Sequence, residues 1–143
     1  MKRVISFLIL LTMVTGINAC TGTSSSNPGK TLSVNTAKKV EVYYFHFSRR
    51  CNTCINVENE SRKAVETLYP EQVKKREITF QSVNLDEKEG EATGAKYKIE
   101  GQTLIVISGD KRVDLTDKGF LYANNSPDKL KAEIKKAVDG FLK

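Results

Sequence analysis

Residues 40–54 read VEVYYFHFSRRCNTC, and the fold turns on how that stretch is read. Val40 to Phe47 is rich in β-branched and aromatic side chains and nearly continuous in apolarity. Such a run suits a central strand buried on both faces, not one with a wet side. The pair Cys51-Asn52-Thr53-Cys54 follows at once. From Cys54 onward apolar or small residues recur three or four apart, at Val57, Ser61, Ala64, Val65 and Leu68. The spacing predicts a helix over residues 54–69, stopped by Pro70. The cysteine pair therefore lies where a buried strand hands over to a helix.

That placement has a chemical consequence for Cys51. The free N–H groups and positive dipole end of a helix N-terminus favour a thiolate. Arg49 and Arg50 add positive charge beside it in sequence. Cys54 lies one turn further on, within disulfide reach and less accessible. The expected chemistry is attack of Cys51 on a partner's disulfide, with Cys54 resolving the mixed disulfide.

Other readings of the pair stand beside this one. A purely structural bridge closing so short a loop constrains little of the unfolded chain. A closed zinc site needs four ligands, and beyond residue 20 the chain offers two thiolates and one imidazole, His46. An open site for a soft ion such as copper(I) or arsenite, using Cys51, Cys54 and His46, fits vicinal thiolates. His46 shares a strand face with Val40, Val42 and Tyr44 by period-two counting. A histidine there is more often a hydrogen-bonded core residue than a ligand. Tyr43, Phe45 and Phe47 read as core.

Towards the C-terminus, Ile78–Leu85 (ITFQSVNL) reads as a second strand. Asp86–Tyr97 is a weaker helix, since Gly90 and Gly94 each cost about 1 kcal/mol relative to alanine. Thr103–Ile107 is a short apolar strand, Ser108-Gly109-Asp110-Lys111 supplies a hairpin turn, and Arg112–Leu115 returns as its partner. A last helix opens at Ser126-Pro127, an N-cap followed by a proline-favoured first position. Its inner face is Leu130, Ile134, Ala137, Val138 and Phe141. The order β-α-β-α-β-β-α predicts an α/β fold with a mixed sheet flanked by helices, one domain over residues 38–143. No internal repeat is present.

Towards the N-terminus, Lys2 and Arg3 precede the apolar run Val4–Val14, and Gly16-Ile17-Asn18-Ala19 leads into Cys20. That order reads as a signal peptide over residues 1–19. Eleven helical residues span only about 16 Å, short of a ~30 Å hydrocarbon core. Ile17, Ala19 and Cys20 match a bacterial lipobox, with Asn18 an unusual occupant of its position. Plain cleavage after Ala19, leaving a free thiol, is the alternative. The chain has three cysteines, and an odd thiol is a liability in an oxidising compartment. Lipidating Cys20 leaves the neighbouring pair. Residues 20–37, including TGTSSSNPGK, then form the lipidated cysteine and a flexible tether. The neutral Thr21-Gly22-Thr23 leans towards a periplasm-facing domain anchored to the membrane. The whole chain carries a net charge of +6; without Lys2 and Arg3 it is about +4, an excess that aids solubility. Lys129, Lys131, Lys135 and Lys136 read as a solvated helix face, not a nucleic-acid surface.

The strand VEVYYFHF, the motif CNTC opening a helix, ITFQSVNLDE, YKIEGQTLIVISGDKRV and the terminal helix together resemble the thioredoxin superfamily over residues 40–143. Within it the chain is similar to small bacterial lipoproteins of the ArsF type, attached by name to a nitrophenyl-compound nitroreductase. The resemblance implies a thioredoxin-like fold and a thiol–disulfide oxidoreductase or electron carrier without an organic cofactor. Its partner would be an envelope thiol or disulfide protein, or a membrane reductase. Cys51 and Cys54 carry the chemistry. Two departures are plain in the sequence. Arg50 replaces the usual tryptophan before the first cysteine, and Asn52-Thr53 replaces Gly-Pro. Where the family places a cis-proline facing the cysteines, this chain has Gln102 followed by Thr103. A cis bond there costs about 3–4 kcal/mol without proline, so a trans bond is expected. The proline normally shapes the partner groove and keeps metals off the thiols. Gln102 and Thr103 take over that place, and its loss favours the metal alternative.

Overall fold

The computed structural model describes residues 39–143. The signal peptide, Cys20 and the tether lie outside the described residues. In chain order the elements are β1 (Val40–His46), α1 (Asn52–Leu68), α2 (Pro70–Lys74), β2 (Ile78–Asn84), α3 (Lys88–Tyr97), β3 (Thr103–Ser108), β4 (Lys111–Asp114), α4 (Thr116–Tyr122) and α5 (Pro127–Leu142).

β1 buries every residue except Glu41, which only a strand covered on both faces can do. It lies inside a four-stranded sheet of order β2-β1-β3-β4. β1 runs parallel to β2, from Val40 opposite Ile78 to His46 opposite Asn84. It runs antiparallel to β3, with Tyr44 opposite Leu104. β3 and β4 form the hairpin, turning at Gly109, whose φ of +59° glycine adopts without strain. A parallel pair needs a long crossover, and α1 is part of it.

Side-chain parity sorts the core into two halves. Val40, Val42 and Tyr44 join Leu104 and Val106 under α1 and α5, whose Val57, Val65, Leu130 and Ile134 complete that half. Tyr43, Phe45, Ile105 and Ile107 point the other way, against Tyr97 and Ile99. Each fully buried aliphatic or phenylalanine side chain stabilises by roughly 1.5–3 kcal/mol. The architecture is α/β and thioredoxin-like, a mixed sheet with helices on both faces.

Several boundaries differ from the sequence expectation, each for a local reason. α1 starts at Asn52, because Cys51 itself is the N-cap. Pro70 does stop α1, but it also opens the single turn α2, where a proline at the first position forfeits no hydrogen bond. α3 starts at Lys88, and its glycines are required: a Cβ on Gly90 would lie 1.7 Å from the Asn84 carbonyl oxygen, and one on Gly94 2.8 Å from Leu85 Cδ2. Close approach of helix to strand outweighs poor helix propensity there. β4 begins and ends one residue early, leaving Leu115 as the N-cap of α4. α4 itself was not expected, being only seven residues and too short to show a period. Its Gly119 sits against Val57 and Leu104, where an added Cβ would lie 3.1 and 3.3 Å from their methyl groups. Phe47 and Phe141, read as core, are only half-buried.

Candidate functional site

The strand-to-helix handover places Cys51 at the N-cap of α1 with extended backbone, φ −84° and ψ 168°. Its side chain is exposed, while that of Cys54 is buried at 3 % relative exposure. Both are free thiols, and their sulfurs stand 2.8 Å apart. The first turn of α1 holds no acidic residue. Cys51 is lowered below the usual thiol range, chiefly by the hydrogen bond with the Cys54 side chain. The backbone N–H groups of Cys54 and Thr53 add to this. These are the N–H groups a helix leaves unpaired in its first turn, here turned on a sulfur.

Neither arginine figures among the leading causes of that lowering. Arg49 is exposed. Arg50 is held in an ion pair by Glu58, which also binds Arg62 at 2.9 Å. Burial pushes the Glu58 carboxyl up, but hydrogen bonds from Arg50, Ser82 and Arg62 outweigh it and hold the group below its ordinary value. The charge that sequence places beside Cys51 is thus directed to a carboxylate two turns along the helix.

Gln102 stands immediately before β3, and the antiparallel pairing carries it to the carboxyl end of β1. Cys54 Sγ donates to Gln102 Oε1 at 3.1 Å. Thr103 does not meet the sulfurs by any hydrogen bond; its hydroxyl donates to the Gly101 carbonyl at 3.0 Å. Its parity is that of Ile105 and Ile107, on the α3 side.

His46 is buried, and both ring nitrogens are engaged. Nδ1 donates to the Phe47 carbonyl at 2.9 Å, and Nε2 pairs with Ser82 Oγ at 2.9 Å. The ring is a hydrogen-bonded core residue and is not brought to the two sulfurs. Among the described residues, no group of three or more His, Cys, Asp or Glu side chains is placed to hold a metal ion. No helix of the described residues is long and apolar enough to cross a membrane.

Three further residues border the site without having been singled out from sequence. Glu58 fixes Arg50. Asn124, in the turn between α4 and α5, donates to Thr53 Oγ1 at 2.9 Å and accepts from Asn56 at 2.8 Å, tying that turn to the first turn of α1. Tyr44 is fully buried with its hydroxyl unpartnered. Its phenol is raised by burial and then by Cys54. Alternation along β1 was the available signal for Tyr44, since it shares the face covered by α1. For Glu58 and Asn124 no local signal exists.

No protein-family model and no curated protein matches the chain. Solved structures similar to it include a malarial protein, 26 % identical over 70 % of this chain and 98 % of that one, with a TM-score of 0.45. The thioredoxin of Fasciola hepatica is 24 % identical over 73 % of this chain and 86 % of its own, with a TM-score of 0.45. The germline-specific thioredoxin Deadhead of Drosophila melanogaster is 18 % identical over 69 % and 81 %, with a TM-score of 0.44. On its own geometry, the chain presents an exposed cysteine and a buried one at the first turn of a helix on a thioredoxin-like sheet.

Proposed function

We propose that this chain is a thiol–disulfide oxidoreductase or electron carrier of the cell envelope, working through Cys51 and Cys54. The observation that carries the reading is the pair itself: an exposed, thiolate-favouring Cys51 whose sulfur lies 2.8 Å from that of buried Cys54. A disulfide is about 2.05 Å long, so closing the bond needs little movement. Cys51 attacks one sulfur of a partner's disulfide and releases the other as a thiolate. Cys54 then displaces the bound half, and two electrons have passed to the partner. Run in reverse, the oxidised pair accepts them.

The finer parts of the proposal rest on sequence. They are a lipid anchor on Cys20, a periplasm-facing position, an ArsF-type relationship, and a partner that is an envelope thiol protein or a membrane reductase. Labelled palmitate incorporated by the full chain and lost in Cys20→Ser tests the anchor.

Reduction of insulin by the reduced protein with a dithiol as electron source tests the chemistry. Activity is expected to vanish in Cys51→Ser. In Cys54→Ser, protein partners are expected to remain disulfide-linked to Cys51. Full activity in Cys51→Ser would overturn the reading. Stoichiometric copper(I) or arsenite retained through anaerobic purification, and lost in Cys51→Ser, would favour the carrier instead.

A further inference from the structure

The cysteines occupy one end of the sheet, and the other end carries an unbalanced charge that the thiol chemistry leaves unused. Val40, the first residue of β1, pairs with Ile78, so the segment leading into β2 lies at the end remote from Cys51. Lys74, Lys75 and Arg76 are exposed there. β3 runs antiparallel to β1 with Ile107 opposite Glu41, which puts the β3–β4 hairpin at that end too, with Lys111 and Arg112 exposed. Arg112 Nη1 donates to the Tyr97 carbonyl at 2.9 Å, and this brings the close of α3, with exposed Lys96 and Lys98, to the same rim. Hairpin and helix end border an open hollow of about 500 Å³.

Among the described residues none of these seven cations stands in an ion pair, whereas Lys39 beside them is held by Glu41 at 2.7 Å. The acids interspersed with them are Glu71, Glu77 and Asp110. Two of the cations sit where a side chain is unwelcome. Arg76 and Lys98 have φ of +59° and +56°, left-handed positions that glycine takes without steric cost. The exposed charges bordering the cysteines have the opposite balance, Asp86, Glu87, Glu89 and Glu100 against Arg49 and Lys88. Arg50 is paired with Glu58. Charge is thus separated along β1, with the cysteines at the acidic end.

We propose that the basic end is a docking surface for an anionic phospholipid bilayer, which holds the domain with Cys51 facing away from the membrane. Cations without partners of their own attract phosphate-bearing headgroups together, and the same field repels the acidic end. The way the chain enters the domain argues for a bilayer over free phosphate. Residues preceding Val40 join the domain at its basic end. Cys20, the lipid site proposed above, lies twenty residues before Val40 in sequence. An anchor there brings the basic end, not the cysteine end, to the surface. The inference goes beyond the oxidoreductase reading and rests only on the envelope location proposed with it.

The test sediments the full chain with vesicles of phosphatidylcholine alone and of equal parts phosphatidylcholine and phosphatidylglycerol. The neutral vesicles give the baseline for binding through the N-terminal residues. A preference for the anionic vesicles is expected, and high salt should abolish it. Each cation removed from such a surface weakens binding about fivefold. Lys75→Gln, Lys98→Gln and Lys111→Gln combined should therefore lower the affinity for anionic vesicles about a hundredfold and leave the neutral baseline unchanged. Lys88→Gln, Lys118→Gln and Lys136→Gln combined remove the same charge elsewhere and should cost far less. No preference in the wild-type protein, or equal weakening by the two triple variants, would overturn the proposal. So would displacement by inorganic phosphate at constant ionic strength, which marks a small anion site, or protection of Cys51 from iodoacetamide on the vesicles, which marks the opposite orientation. Any of these results leaves the thiol exchange standing, since insulin reduction tests that separately.

Discussion

Cys54 Sγ donates to Gln102 Oε1 across 3.1 Å, joining residues 48 positions apart in the chain. The bond exists only while Cys54 carries its proton, so it stabilises the reduced form and not the disulfide. Gln102→Ala is expected to destabilise the reduced protein to urea by about 1 kcal/mol, and the oxidised protein by less. The reduction potential should then fall by roughly 20 mV, read against a glutathione buffer. An unchanged potential would show that the contact carries no energy.

Alkylation of Cys51 should show a midpoint below the ~8.5 of a free thiol. Its leading cause is the Cys54 side chain, so Cys54→Ala should move the midpoint back up, with the helix N–H groups leaving part of the shift. A depressed thiol value favours the folded reduced state. That contribution is present above the free-thiol value and is lost as pH falls through the lower folded one. Iodoacetamide rates across pH check both points, and a wild-type profile identical to that of a free thiol would refute them.

Glu58 is held below the ordinary carboxylate range because its arginine and serine partners outweigh burial. Its contribution is therefore present above about pH 4.3 and lost as pH falls through its folded value. Glu58→Gln should cost about 1 kcal/mol at neutral pH, a figure discounted for the half-exposed arginines, and nearly nothing at pH 2. Urea titrations at the two pH values measure the difference. The same variant frees Arg50 beside Cys51, so the alkylation midpoint should drop further.

Two glycines in helices should respond in opposite directions. Gly90→Ala drives a Cβ to 1.7 Å from a backbone oxygen, and a loss of about 3 kcal/mol or more, or failure to fold, is expected. At Gly140 in α5 nothing lies within 4 Å of the added carbon, and alanine should stabilise by up to about 1 kcal/mol. Thermal unfolding of the two variants is the check.

Much of the fold was legible because its signals are local. A run of β-branched and aromatic residues marked β1, and a three-to-four spacing marked α1. Ser126-Pro127 marked the head of α5 within one residue. α4 was not legible, since seven residues with a central glycine show no period, and its reason for existing is a fit against Val57 and Leu104. The same holds for α3: its glycines read as weakness until Asn84 and Leu85 were found on top of them.

The order of β1, α1 and the cysteines was set by sequence alone. So was the exposure of Cys51 relative to Cys54, because a helix cap and the residue one turn later are neighbours along the chain. Tertiary structure decided what surrounds them. Arg50 lies one residue from Cys51 but is held by Glu58, and Gln102 reaches Cys54 only because β3 runs antiparallel beside β1. Periodicity says which way a side chain faces; it is the pairing of distant strands and the packing of helices that chooses what it meets.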